Sequence, residues 1–269
     1  MGFWDHAEAL RGVLLRVAGL LVVLTCVLFA AMPHIFDSVI LAPCKSDFIL
    51  YRWLAELPGS TLLPDSATGS HDIELINIRL ASQFFIHMST SFWLAVVLGF
   101  PFCVYLLWGF VAPGLYEEEK RGMRTAFIFG NMMFFLGVAT GYFIVFPLTL
   151  RFLADYQLSA FIPNQISLDS YMDNFLMLIL VMGIVFELPL VTWLIGKTGF
   201  LSRAFFSRYR RHAIVALLVA AAAITPSGDP FTLMVVFLPL YLLWELSAFT
   251  VPAMSATDAC SGLTTRYKL

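Results

Sequence analysis

Charge is what this sequence has little of: 13% of its 269 residues are Asp, Glu, Lys or Arg, against roughly a quarter in an ordinary soluble domain. A typical soluble globular protein is thereby excluded. A net charge of −2 and a pI near 6.2 leave no basic field, so a nucleic-acid partner has no electrostatic support. Only four cysteines are present; Cys26, Cys103 and Cys260 fall in or inside the membrane and Cys44 has no partner on the far side, so neither a disulfide framework nor a metal site is expected. HExxH, GxSxG and a Walker glycine loop are all missing, and no two carboxylates stand at metal-ligand spacing. Catalytic residues, a metal and a cofactor are therefore not expected.

What the chain does have is apolar length. Hydrophobic residues make up 60% and aromatics 15%, the mean hydropathy is +0.85, and several runs reach the roughly 20 residues that cross a hydrocarbon core about 30 Å thick. The expected fold is all-α and polytopic, with six transmembrane helices. The first span is read at Val13–Met32, with Arg16 snorkelling to the interface. The second is Phe84–Val111, whose 28 residues imply tilt or a protruding end. The third and fourth are Thr125–Leu150 and Phe175–Ile195. The last two, Ala213–Ile224 and Phe231–Trp244, are short, and the 12 residues of the former fit either a thin local bilayer or one arm of a re-entrant hairpin.

Residues 1–252 are read as one transmembrane domain, with an outer cap loop at about 33–83 that carries short helices, and residues 253–269 as a cytoplasmic tail. The N-terminal segment carries Asp5 and Glu8 and no small-residue cleavage site, so it is expected to be retained. With the N-terminus inside, the inner segments hold Arg11, Lys120, Arg121, Arg124, Lys197, Arg203, Arg208, Arg210, Arg211, Arg266 and Lys268, and the outer ones Lys45, Arg52, Arg79 and Arg151. Eleven against four places both termini in the cytoplasm. Pro101, Pro147, Pro189 and Pro239 each remove a helix hydrogen bond, which predicts bent helices and a concave bundle. No inverted repeat of the transporter kind is found.

Among the few polar residues, Glu187 lies deep in the fourth apolar run. It is either a protonated acid bonded to a neighbouring helix or, the favoured reading, a polar notch offered to a cavity or a partner helix. His87, Thr90, Ser91, Asn131 and Thr140 read as interhelical hydrogen-bonding groups, and His87 has no titratable neighbour in its span with which to relay a proton. Asp229, in TPSGDP, reads as a turn or cap residue, and Glu245 as a residue near the inner interface. The inner loop VAPGLYEEEKRGMR sets Glu117–Glu119 at the end of a span; it is a solvated helix face or a site for a cationic ligand that clustered carboxylates can pair. A proton-coupled small-molecule secondary transporter, with Glu187 as coupling site, is the alternative function, and a scaffold with no transport role is a third.

Together these segments resemble the TatC family, the core receptor subunits of the twin-arginine protein translocase, from His6 to about Phe249. The resemblance rests on His6 with Leu10 and Arg11, LAP at Leu41–Pro43, WGFVAPGLYEEEKR at Trp108–Arg121, GYFIVFPL at Gly141–Leu148, FELP at Phe186–Pro189, and ITPSGDP with LPLYLLWE. It implies a receptor for the paired arginines of signal peptides at the cytoplasmic face of the bacterial plasma (inner) membrane. It further implies TatA/TatB-type single-span partners, self-association in a larger complex, and export of folded cargo driven by the proton-motive force. By the same resemblance Glu119 meets the arginines, with Glu118, Arg121, Glu8 and Arg11 around it; Glu187 is the intramembrane glutamate, and Pro43, Pro113 and Tyr116 are structural loop residues. Two departures stand out. Ala9 occupies the place of the family's second recognition glutamate, with Glu8 one position earlier, about 100° away around the helix; and the first outer loop is long, which predicts extra cap structure.

Overall fold

The computed structural model describes residues 3–56, 72–111, 117–159, 161, 164–197, 203–225 and 228–250. These divide into two compact units, residues 1–183 and 184–269. The chain is almost wholly helical. Among the described residues five segments have the length and composition to cross a membrane: Ala7–Glu56, Ser82–Phe110, Arg124–Asp155, Leu168–Gly196 and Pro230–Phe249.

In the first unit, α1 (Phe3–Ile35) runs into a π-helical turn (Phe36–Ile40), a 3-10 turn (Ala42–Cys44) and the short α2 (Ile49–Glu56). After strand β1 (Leu75–Ile76) come α3 (Ser82–Val111) and α4 (Glu117–Thr140). A second π-turn (Gly141–Val145) leads to α5 (Phe146–Asp155), and the two-residue β2 (Ile166–Ser167) precedes α6 (Leu168–Val185). The π-turn has a cause in the sequence. Pro147 has no N–H to give the carbonyl of Phe143 and its ring would press on that carbonyl, so the turn before it widens.

Contacts along α1 and α3 fix their mutual direction. His87 stacks on Phe29 at 3.8 Å and its Nε2 donates to the Phe29 carbonyl at 2.8 Å, while a Cβ on Gly99 would lie 3.2 Å from Leu24. As the α3 number rises the α1 number falls, so the pair is antiparallel. The α3–α4 pair is antiparallel too, with Phe100 on Phe134 at 3.7 Å and Trp108 against Phe127 at 4.9 Å. Helix α6 comes close enough that a Cβ on Gly141 would stand 3.1 Å from the Ile179 Cα, and one on Gly183 2.9 Å from Phe134. Small residues here let backbones approach, the usual means of packing helices where lipid supplies no hydrophobic drive.

Within residues 33–83 fall the π-turn, the 3-10 turn, α2 and β1, while residues 57–71 lie outside the described set. Strand β1 pairs in parallel with β2, Leu75 opposite Ile166, which ties the segment before α3 to the segment before α6. The Ser46 N–H donates to Asp72 Oδ1 at 2.7 Å, and that bond holds the Asp72 carboxyl below the usual carboxylate range. Pro43 is buried, and its carbonyl accepts from the Tyr51 hydroxyl at 3.0 Å.

The second unit holds α7 (Leu188–Lys197), α8 (Arg203–Ile224) and α9 (Pro230–Thr250). Helix α8 begins ten residues before the apolar run read from sequence and totals 22 residues, about 33 Å at 1.5 Å per residue. Its first half carries Arg203, Arg208, Arg210 and Arg211, which is why it has the length of a span without the composition of one. Asp229 is the cap the sequence suggests: its Oδ1 accepts from the Thr232 N–H at 2.7 Å at the start of α9. Pro101 and Pro239 lie inside α3 and α9, and Pro189 is the second residue of α7.

Candidate functional site

Glu8 and Arg11 lie on α1, one turn apart and so on one face, and both are exposed. Glu117, Glu118 and Glu119 form the first turn of α4, with Arg121 in the next. Pro113 and Tyr116 fall outside the described residues. Helix rise sets the depths of the two groups. At 1.5 Å per residue Glu8 lies about 24 Å along α1 from the Leu24–Gly99 contact. On the other side Trp108 is about 13 Å along α3 from that contact, and Glu119 about 12 Å beyond the level of Trp108. Counted from Leu24–Gly99 the two positions lie at similar distances along their helices, and counted from Phe29–His87 they lie about 12 Å apart; both contacts put the starts of α1 and α4 toward the same end of α3. A helix N-terminus, with its unpaired N–H groups and positive dipole end, is a position that suits acidic residues.

Glu187 sits where the fourth apolar run breaks. Pro189 cannot donate to the Val185 carbonyl, so α6 stops at Val185, and Phe186 and Glu187 form a turn before α7. The Glu187 N–H donates to the Ile184 carbonyl at 3.1 Å, and its own carbonyl accepts from Val191 at 3.0 Å. The side chain is half-buried, and its Oε1 has no hydrogen-bond partner among the described residues. A carboxyl oxygen at a helix break inside an apolar run is the kind of group that a partner's donor can satisfy.

The other polar residues divide. His87 does join two helices. Ser91 and Thr140 donate instead to the carbonyls one turn back, of His87 at 2.7 Å and Leu136 at 2.8 Å. Thr90 Oγ1 and Asn131 Oδ1 are buried without a partner among the described residues, and Asn131 lines a groove between α3 and α4. Glu245 is held by Arg210 at 2.7 Å and by the Tyr241 hydroxyl at 3.1 Å, a link between α8 and α9 that sequence reading did not foresee.

Nor did it foresee the role of Arg151, counted as an outer loop cation. Arg151 is 1% exposed because α5 continues past it to Asp155 and α2 folds over it. Its guanidinium lies 4.5 Å from the centroid of the Tyr51 ring, and the Tyr51 hydroxyl bonds the carbonyls of Pro43 at 3.0 Å and Pro147 at 3.3 Å. Tyr171 donates to the Ile40 carbonyl. A signal existed in the aromatic-rich FILYRWLAEL segment, which is too apolar for a free loop.

Five apolar spans among the described residues define a multi-pass helical membrane protein. The family model of the Sec-independent protein translocase protein (TatC) matches residues 5–239. The chain is 34% identical over 252 residues to the TatC protein of Blattabacterium sp. subsp. Periplaneta americana, covering 93% of this chain and 94% of that protein. It is 36% identical over 173 residues to that of Helicobacter pylori, covering 64% and 69%. A crystal structure of the twin arginine translocase receptor TatC superposes with a TM-score of 0.68 at 27% identity, over 91% of this chain and 97% of that one. A second, in DDM, gives 0.70 at 26% identity, over 92% and 99%. The chain belongs to the TatC family and is a multi-pass membrane component of a Sec-independent protein translocase.

Proposed function

We propose that this protein is the signal-peptide receptor of a bacterial twin-arginine translocase, resident in the plasma (inner) membrane with both termini in the cytoplasm. It binds the paired arginines of signal peptides at Glu119, aided by Glu118 and Glu8, with Arg11 and Arg121 bounding the site. It assembles with TatA/TatB-type single-span partners and further copies of itself for export of folded cargo driven by the proton-motive force. The observation that carries this reading is the placement of Glu8 near the start of α1 and of Glu117–Glu119 in the first turn of α4, two helices that both run antiparallel to α3 and so begin toward one end of it. Guanidinium groups stay charged and present a planar fork, so carboxylates there select Arg over Lys by geometry as well as by charge. The test is photocrosslinking in native membranes between probes beside Glu119 and a signal peptide bearing two arginines or two lysines. Crosslinks to the arginine form alone support the receptor; equal crosslinking of both forms overturns it.

Glu187 is proposed as a contact for a polar side chain of a partner helix. An interhelical hydrogen bond in lipid is worth about 0.6–1.7 kcal/mol, so Glu187→Ala is expected to lower crosslinking to a single-span partner by roughly three- to twentyfold, while Glu187→Gln keeps most of it. Wild-type crosslinking and export by Glu187→Ala would remove the role.

A further inference from the structure

We propose that the groove between α3 and α4 is a binding site for an anionic phospholipid of the leaflet that the charge count makes cytoplasmic. The groove has a volume of about 470 Å³, within the range of ligand-sized cavities, about 300–1,000 Å³. Its apolar walls include Pro101, Phe127 and Ile128, and its rim carries Tyr105, Trp108 and Arg124.

Four observations point to this occupant. Tyr105 is 73% exposed, although its ring is largely apolar, and Trp108 is held edge-on against Phe127; such rings settle at the headgroup level, with the apolar body in lipid and the N–H or O–H in the polar layer. Arg124 is exposed, and no carboxylate among the described residues pairs with it. The rim thus offers a guanidinium, an indole N–H and a phenol O–H, a set of donors that suits a phosphate diester. The groove runs from that rim into the apolar depth of the span, as the acyl chain of a lipid does. In the sequence Lys120 and Arg121 precede Arg124 by four and three residues, and cations clustered beside a span end favour anionic lipid.

The acidic turn at Glu117–Glu119 does not contradict this. Glu119 stands five residues before Arg124, about 7.5 Å farther out along the helix axis. One helix then carries the acidic turn used by the proposed receptor site and, one and a half turns deeper, a cation at the interface for an anionic headgroup.

The experiment is native mass spectrometry of the purified full chain equilibrated in micelles with equal amounts of phosphatidylglycerol and phosphatidylcholine of identical acyl chains. The wild type is expected to retain phosphatidylglycerol in preference. A single basic contact to an anionic membrane component is worth about fivefold, so Arg124→Gln is expected to reduce the preference by about that factor. Arg124→Lys keeps most of it, and Arg211→Gln, which removes the same charge from α8, leaves it at the wild-type value. A photoactivatable phosphatidylglycerol is expected to label residues 101–131 of the wild type. Equal retention of the two lipids, an equal loss with Arg211→Gln, or displacement of the lipid by an uncharged apolar peptide would overturn the proposal, the last by making the groove a peptide site. Lipid preference is read without signal peptide, so its failure leaves the receptor reading untouched.

Discussion

Glu119→Ala is expected to weaken binding of a twin-arginine signal peptide by roughly 10- to 100-fold, since a charge-assisted hydrogen bond to a carboxylate is worth about 1.5–3 kcal/mol. The effect is expected to be large for a reason of chemistry. In the proposed site the carboxylate would take a bidentate guanidinium fork, two charge-assisted bonds to one group. Glu119→Gln keeps the shape and loses the charge, so its loss should approach that of alanine. Glu8→Ala is expected to cost only a few fold, as a single exposed ion pair is worth up to about 1 kcal/mol. Restoring the family's glutamate by Ala9→Glu tests the rotation of about 100° that separates the two positions: tighter binding would show that the face of Ala9 addresses the peptide. Peptide affinity measured in detergent-solubilised protein by fluorescence anisotropy separates these outcomes, and unchanged affinity in Glu119→Ala would remove Glu119 from the site.

The spans were legible because a bilayer imposes length and apolarity on any helix that crosses it, and five of the six expected runs reappear as helices long and apolar enough to do so. Their ends were less legible, because a helix continues wherever backbone and propensity allow. α8 extends back through Arg203–Arg211, and α5 carries on past Arg151 to Asp155. Hydropathy marks where lipid begins; it does not mark where a helix does. Pro147 and Pro189 were read as points of strain, and the structure shows two different outcomes, a widened π-turn before the first and a full break before the second. The β1–β2 pair was invisible because two strands of two residues each carry no periodicity, and their pairing joins segments some ninety residues apart. Of the proposed site, the residue types were legible from the cluster of glutamates beside a span end, but that α1 and α4 begin toward one end of α3 needed the α1–α3 and α3–α4 contacts. Arg151 was missed for the reason that charge counting works at all: it treats every cation outside an apolar run as solvated.

Arg151→Ala is expected to be the most destabilising single change at the outer end of the first unit, by about 3–5 kcal/mol, the range for removing one member of a buried charged network. The side chain is among the largest fully buried ones in the protein, so truncation removes the cation over the Tyr51 ring and leaves a void where water must enter or α2 must sink. Tyr51→Phe separates the two parts of the arrangement. It keeps the ring beneath the guanidinium and deletes the hydroxyl that bonds the Pro43 and Pro147 carbonyls, which should cost about 1 kcal/mol. Tyr51→Leu removes the cation–π contact as well, worth about 2 kcal/mol when desolvated. Arg151→Lys keeps a charge but not the planar group that stacks on an aromatic ring, so it should fall between wild type and alanine. Because the same residues join the 3-10 turn at Pro43, α2 and the start of α5, loss of Arg151 should also loosen the segment from Pro43 to Glu56, read as faster proteolysis there before any loss of overall helicity. Stability of Arg151→Ala within about 0.5 kcal/mol of wild type, the ordinary range for a surface substitution, would mean that the guanidinium finds water at this position and that the segment is held by the tyrosine hydroxyl bonds alone.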